Sequence, residues 1–163
     1  VAELLLKTAV FQSDAAIDQA FARLQGLGLD MDRVHFEAAD VQYMERYLDV
    51  DIALDTYPYP GGGTTADALY MGVPVVSLYG KRRGTRVGLS ILQAAGLGEL
   101  AVPDRAAYIA CAVGLASDVA TLDLLHTNLR SMLRQSSLMD AKGYVREMEQ
   151  KYQEIWETYE GRR

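Results

Sequence analysis

Short β-rich runs alternate with longer stretches of helical period along this chain, and that alternation restricts it to parallel strands joined by crossover helices. Strands are predicted at Glu3 to Thr8, Arg33 to Glu37, Asp51 to Leu54 and Pro74 to Leu78, with a weaker one at Glu99 to Val102. Between the first two, Ser13 or Asp14 is placed to cap a helix that carries Ile17, Phe21 and Leu24 on one face, and Gly26 and Gly28 stand where it should stop. A short helix near Val41 to Leu48 and another from Thr64 to Met71 complete two further crossovers. The expected fold is α/β, a Rossmann-like parallel sheet with flanking helices.

After Pro103 the pattern changes to helices only, from Asp104 to Ser117, Val119 to Gln135 and Asp140 to Tyr159. Asp104 and Asp140 are the expected N-caps. Tyr144, Met148, Tyr152, Ile155, Trp156 and Tyr159 recur at three- and four-residue spacing and form an apolar stripe, read as a packing surface that docks outside this stretch. With 163 residues, half of them apolar, the chain can bury one core, and 1–163 reads as a single domain whose helical extension covers 104–163. It opens directly on a strand-like run without an initiator Met, as a piece of a longer protein would.

Charge and composition narrow the function. Sixteen Lys and Arg against 22 Asp and Glu give a net charge of −6, which supplies no general field for nucleic acid, so any anion site must be local. Apolar runs such as Leu4 to Leu6 and Val73 to Val76 fall far short of the roughly 20 residues a membrane-spanning helix needs. The single cysteine, Cys111, excludes an intrachain disulfide and reads as a buried helical thiol. An unpaired cysteine fits a reducing compartment, so a cytoplasmic location is expected.

Parallel α/β sheets bind ligands beyond the carboxyl ends of their strands. One loop stands out there, Asp-Thr-Tyr-Pro-Tyr-Pro-Gly-Gly-Gly-Thr-Thr-Ala-Asp at 55–67. Gly61, Gly62 and Gly63 let backbone N–H groups approach a ligand, and the following helix start favours an anion. Thr64 and Thr65 can cap the helix or donate to phosphate oxygens, and Asp67 can accept from sugar hydroxyls. The alternative is that the glycines only turn the chain and the threonines only cap it. Neither the NTPase phosphate loop nor the GxGxxG fingerprint is present. Lys81, Arg82, Arg83 and Arg86 form the one dense basic cluster, either approaching phosphate (Lys81, Arg86) or lying on a solvated turn. Asp55 and Thr56 end a strand, where Asp55 can hold the loop by accepting backbone N–H bonds. His35 and His126 lack catalytic partners in the sequence and read as structural.

The wider stretch carries a family resemblance. Asp-Thr-x-Pro-Tyr, the glycine and threonine run, Asp-Ala-Leu and Met-Gly-Val-Pro-Val-Val follow one another within 51–80, continued by Gly-Thr-Arg-Val-Gly-Leu-Ser-Ile-Leu at 84–92 and Gly-Leu-Gly-Glu-Leu at 96–100, with a closing pattern from Leu129 to Trp156. In this order they resemble the C-terminal catalytic region of the O-linked N-acetylglucosamine transferase family and its bacterial relatives, over nearly the whole chain. The resemblance implies the donor-binding lobe of a two-lobed (GT-B) glycosyltransferase that uses a uridine diphosphate sugar, with helical repeats commonly upstream. It implies that Thr64 and Thr65 lie on the diphosphate loop, Asp67 on the ribose-binding acidic position, Arg46 near the uracil, and Tyr43 where several relatives have His. Some relatives also have His in place of Gly62. The family's donor-binding lysine lies before the first strand, outside this chain.

The chemistry that follows is sugar transfer with loss of a nucleoside diphosphate, where donors aimed at the bridging oxygen lower the barrier. The Gly61 to Thr65 amides would supply them. No Asp-x-Asp motif occurs, so neither metal nor cofactor is expected and the nucleotide sugar is a substrate. No residue is assigned as catalytic base; the base and protein acceptor site are expected from N-terminal regions beyond this stretch. The alternatives are a transferase of another donor or acceptor, such as guanosine diphosphate fucose or hexose to Asn, and a non-catalytic interaction module with a vestigial nucleotide site.

Overall fold

The computed structural model describes residues 2–162, so Val1 and Arg163, the ends of the expected domain, lie outside the described residues. The chain divides into two compact units, Val1–Arg46 and Tyr47–Arg163. Each is built on its own parallel sheet.

In the first unit β1 (Leu4–Lys7) pairs in parallel with β2 (Val34–Glu37), Leu4 opposite Val34 and Lys7 opposite Glu37. The crossover is α1 (Asp14–Gly26), with Ser13 at the N-cap as expected. Its hydroxyl makes no capping bond; its carbonyl accepts the Ala16 and Ile17 N–H groups instead. The helix ends as Leu27 caps it and Gly28 turns to φ 84°. Lys7 reaches Asp40 at 2.6 Å and Glu37 at 3.3 Å, while Phe11 meets Phe36 edge to face. The helix expected at 41–48 is a turn followed by a 3-10 turn, Glu45–Asp49. Asp40 accounts for the difference, because its carboxylate accepts the Gln42 N–H at 2.8 Å and offers the backbone a local alternative to a helix start.

The second unit carries β3 (Ala53–Asp55), β4 (Val75–Leu78) and β5 (Ala101–Val102) in that spatial order, all parallel. β4 is the central strand, and Val75, Val76 and Ser77 are buried on both its faces, as a near-continuous apolar strand requires. Its crossovers are α2 (Gly63–Tyr70) and α3 (Val87–Ala94). The predicted last strand is only two residues long because Gly98–Leu100 forms a 3-10 turn before it. Then follow α4 (Arg105–Ser117), α5 (Val119–Gln135) and α6 (Ala141–Glu160). Asp104 accepts the Ala107 N–H at 2.9 Å and Asp140 the Gly143 N–H at 2.8 Å, so both expected caps form. Leu69 from α2, Leu92 from α3 and Leu129 from α5 meet Val76 in the core, each at most 1% exposed. Among the described residues no single helix is long and apolar enough to cross a bilayer; α4 and α5 pass that test only as a pair bent by 90°.

Cys111 is half-buried rather than buried, on the side of α4 that packs against the core, and burial pushes its thiol pKa up. His35 sits exposed on β2, 2.9 Å from Glu3 Oε2. His126 lies on α5 with a buried Nε2 that has no partner among the described residues. The aromatic stripe of α6 forms, but the described residues leave it open: Tyr152 is 64% and Trp156 58% exposed.

Candidate functional site

Because β3, β4 and β5 run parallel, their carboxyl ends share one edge of the sheet, and the loops leaving that edge are 56–62, 79–86 and 103–104. Asp55 and Ser77 are register partners there. The Asp55 carboxylate is 7% exposed and uses both oxygens: Oδ2 accepts the Ser77 hydroxyl and Oδ1 accepts the Gly61 N–H, each at 2.6 Å. Asp55 therefore holds the loop through a backbone N–H, as its place at the strand end suggests.

Between those anchors the chain passes through a cis Tyr57–Pro58 bond, and Thr56 donates to the Tyr59 carbonyl at 3.0 Å. A Cβ at Gly61 would stand 2.7 Å from the hydroxyl oxygens of both Thr64 and Thr65, so only glycine lets the chain pass so close beneath the helix start. Gly62 is the N-cap of α2, and its carbonyl accepts the Ala66 N–H at 3.1 Å. That first helical bond leaves the amides of Gly63, Thr64 and Thr65 without an intrahelical acceptor, at the positive end of the helix. Nothing lies within 4 Å of a Cβ placed at Gly63, so the chain is uncrowded on that side of the helix start. Asp67 is half-buried one turn further on, at i+3 from Thr64 and on the same face. Tyr47 donates to the Thr64 carbonyl at 3.2 Å from behind.

The structure thus brings Gly61–Thr65 and Asp67 together and divides their roles more finely than the sequence does. The Gly61 amide, expected among the ligand donors, is turned inward to Asp55. Thr65 is 3% exposed as a whole residue, so its hydroxyl packs inside rather than standing at the surface. Thr64 is exposed.

Three supporting residues escaped the sequence reading. Ser77 ends β4 and carries no motif. Gly88 sits in α3, where an added Cβ would run into Ser77 Oγ and the Asp55 carboxylate. Tyr108 on α4 donates its hydroxyl to the Asp55 main-chain carbonyl at 3.0 Å. Burial, and then the charges of Asp55 and Cys111, push its pKa up to about 12. An unfolded tyrosine ionises near pH 10, so this group contributes stability that is complete below about pH 10 and is lost as pH rises toward its folded value. In a spectrophotometric titration of the chain's 10 tyrosines, Tyr108 should ionise among the last. Tyr108→Phe should remove that late step; an unchanged titration curve would refute the assignment.

The neighbouring loop places Lys81 in the lining of a cleft of ≈ 280 Å³, with Tyr57, Tyr79, Gly80 and Arg105. Arg86 occupies the N-cap of α3 and lays its guanidinium 5.8 Å from the centre of the Tyr79 ring. Tyr43 and Arg46 belong to the first unit. There Arg46 reaches Glu37 Oε1 at 2.8 Å, and together with Lys7 holds that carboxyl below its usual pKa. Tyr43 is 38% exposed. No group of three potential metal-ligating side chains gathers among the described residues.

The family model of glycosyl transferase family 41 matches residues 8–148. A probable UDP-N-acetylglucosamine–peptide N-acetylglucosaminyltransferase SPINDLY from Hordeum vulgare is 35% identical over 159 residues, which cover 96% of this chain and 17% of that protein. The UDP-N-acetylglucosamine–peptide N-acetylglucosaminyltransferase of Caenorhabditis elegans is 33% identical over 135 residues, 82% of this chain and 12% of that one. A solved structure of a mutant Thermobaculum terrenum O-GlcNAc transferase superposes with a TM-score of 0.88 at 36% identity, covering 95% of this chain and 30% of that chain. The chain therefore spans under a fifth of the length of these curated relatives.

Proposed function

Since the chain belongs to glycosyl transferase family 41, we propose that 1–163 is the donor-binding lobe of an enzyme that transfers N-acetylglucosamine from a uridine diphosphate donor to a Ser or Thr of a protein. The observation that carries this reading is the run of amides at Gly63, Thr64 and Thr65 that the start of α2 leaves without an intrahelical acceptor, at the exit edge of a parallel sheet. The relatives named for transfer from UDP-N-acetylglucosamine to peptide support the donor and the acceptor class.

As the glycosidic bond breaks, negative charge grows on the oxygen that links sugar to phosphate. Amides already aimed at that point stabilise the transition state more than the ground state, with no reorganisation at the moment of reaction. The helix start adds its positive end. Asp67, on the same face as Thr64, accepts from the ribose hydroxyls, and Lys81 and Arg86 on the adjoining loop add positive charge toward the phosphates. With amides in that role the leaving group needs no divalent ion, so transfer is metal-independent. The protein acceptor and the base that takes the Ser or Thr proton come from regions outside this stretch. A reducing, cytoplasmic setting suits the unpaired Cys111 thiol.

Isothermal titration of the full-length protein tests the reading. Uridine diphosphate should bind at one site per chain, equally well with EDTA present. Binding of neither uridine nor guanosine diphosphate would overturn it, and a preference for guanosine diphosphate would replace the donor with a fucose-type one.

A further inference from the structure

We infer that Asp55 is the positioning residue of the donor site: its buried carboxylate fixes the direction in which the loop presents its amides. The inference rests on the donor-site reading above and adds to it a residue that never touches the ligand. A carboxylate at 7% exposure is costly unless every oxygen is matched by donors. Here Oδ1 takes the Gly61 N–H and Oδ2 the Ser77 hydroxyl, both at 2.6 Å, while the main-chain carbonyl takes the Tyr108 hydroxyl at 3.0 Å. Gly88 lacks the side chain that would otherwise fill the carboxylate's seat. Strands β3 and β4 and helices α3 and α4 thus meet on one residue, and through the Gly61 N–H that residue holds the glycine loop.

That grip has a purpose. Three successive glycines lose more backbone freedom on ordering than any other residues, so an untethered loop would meet its ligand at a large entropic cost. Pinning the Gly61 N–H inward sets the first peptide plane of the run. The chain then turns into α2 with the Gly63, Thr64 and Thr65 amides at the helix start, already arranged before the ligand arrives. The role is geometric, because a negative charge so near a diphosphate adds nothing favourable of its own. Asparagine can therefore replace it: the side-chain oxygen accepts from Gly61, and the NH2 donates to Ser77, whose hydroxyl rotates to accept.

The test uses the full-length protein, titrated with uridine and guanosine diphosphate and assayed for donor and acceptor KM. Asp55→Ala leaves the Gly61 N–H unmatched and should weaken nucleotide binding about tenfold or more, the loss expected for one charge-assisted bond. Acceptor KM should stay within about twofold, and Asp55→Asn should restore nucleotide binding to within about twofold, on the ground that its amide reproduces both bonds. The inference is overturned if Asp55→Ala binds nucleotide like the parent, if Asp55→Asn is as weak as Asp55→Ala, or if acceptor KM rises in parallel with donor KM. A parent that binds neither nucleotide overturns the donor-site reading and this inference together, which separates the two failures.

Discussion

Gly61→Val should all but abolish nucleotide binding while leaving the fold intact. The Cβ alone would stand 2.7 Å from Thr64 Oγ1, 2.7 Å from Thr65 Oγ1 and 3.5 Å from Asp55 Oδ1. Thr65 is 3% exposed and Asp55 7%, so neither can swing away, and the loop itself must move. The Gly61 bond to Asp55 breaks with that movement, and the amides of Gly63 and Thr64 lose their aim. A hydrogen bond to a charged group contributes about 1.5–3 kcal/mol, so losing two of them should weaken uridine diphosphate binding on the order of 100-fold or more. The broken bond leaves a buried Asp55 oxygen unmatched at a cost of about 1–3 kcal/mol, so the unfolding midpoint should fall by several degrees while the protein stays folded. A variant that binds nucleotide normally would show that the loop does not need its present path.

The largest effect on stability should come from Gly88→Ala. Alanine is usually favourable in a helix interior, by roughly 0.5–1 kcal/mol over glycine. At this position the methyl group would land on Ser77 Oγ and the Asp55 carboxylate, which are bonded to each other and almost wholly buried. Helix α3 must lift from β4, loosening the core to which Leu92 and Val76, both at 0% exposure, belong. Overpacking of this kind costs about 1–3 kcal/mol, and a broken buried hydrogen bond adds about 1–3 kcal/mol, far more than the helix propensity returns. With a unit of this size losing roughly 3–4 °C per kcal/mol, the unfolding midpoint should fall by about 10 °C. Nucleotide binding should weaken as well, since Asp55 is displaced. A midpoint that rises, as propensity alone predicts, would refute this account of the glycine.

Much of the architecture was legible in the sequence because it rests on local signals. Hydrophobic runs marked the strands, Asp104 and Asp140 announced their helices, and the glycine-threonine run lay at a strand exit where ligands bind. What stayed hidden depends on partners far apart in the chain. Asp55 and Ser77 are 22 residues apart and become neighbours only through the β3–β4 register. Gly88 looks like any helical glycine until α3 is laid over that pair. The same distance effect reversed the expected role of the Gly61 amide, since the run of glycines shows that N–H groups are accessible without showing which way each one points. The missing helix near Val41 had a local cause, the Asp40 turn, that competes with helical pattern over the same residues.

The central claim is that main-chain N–H groups at the start of α2 grip a diphosphate. A crystal structure of the full-length protein with uridine diphosphate tests it most directly. The account predicts phosphate oxygens within about 3.2 Å of the amide nitrogens of Gly63, Thr64 and Thr65, with Gly61 still bonded to Asp55. Phosphates bound elsewhere, with those three amides facing water or protein, would contradict it.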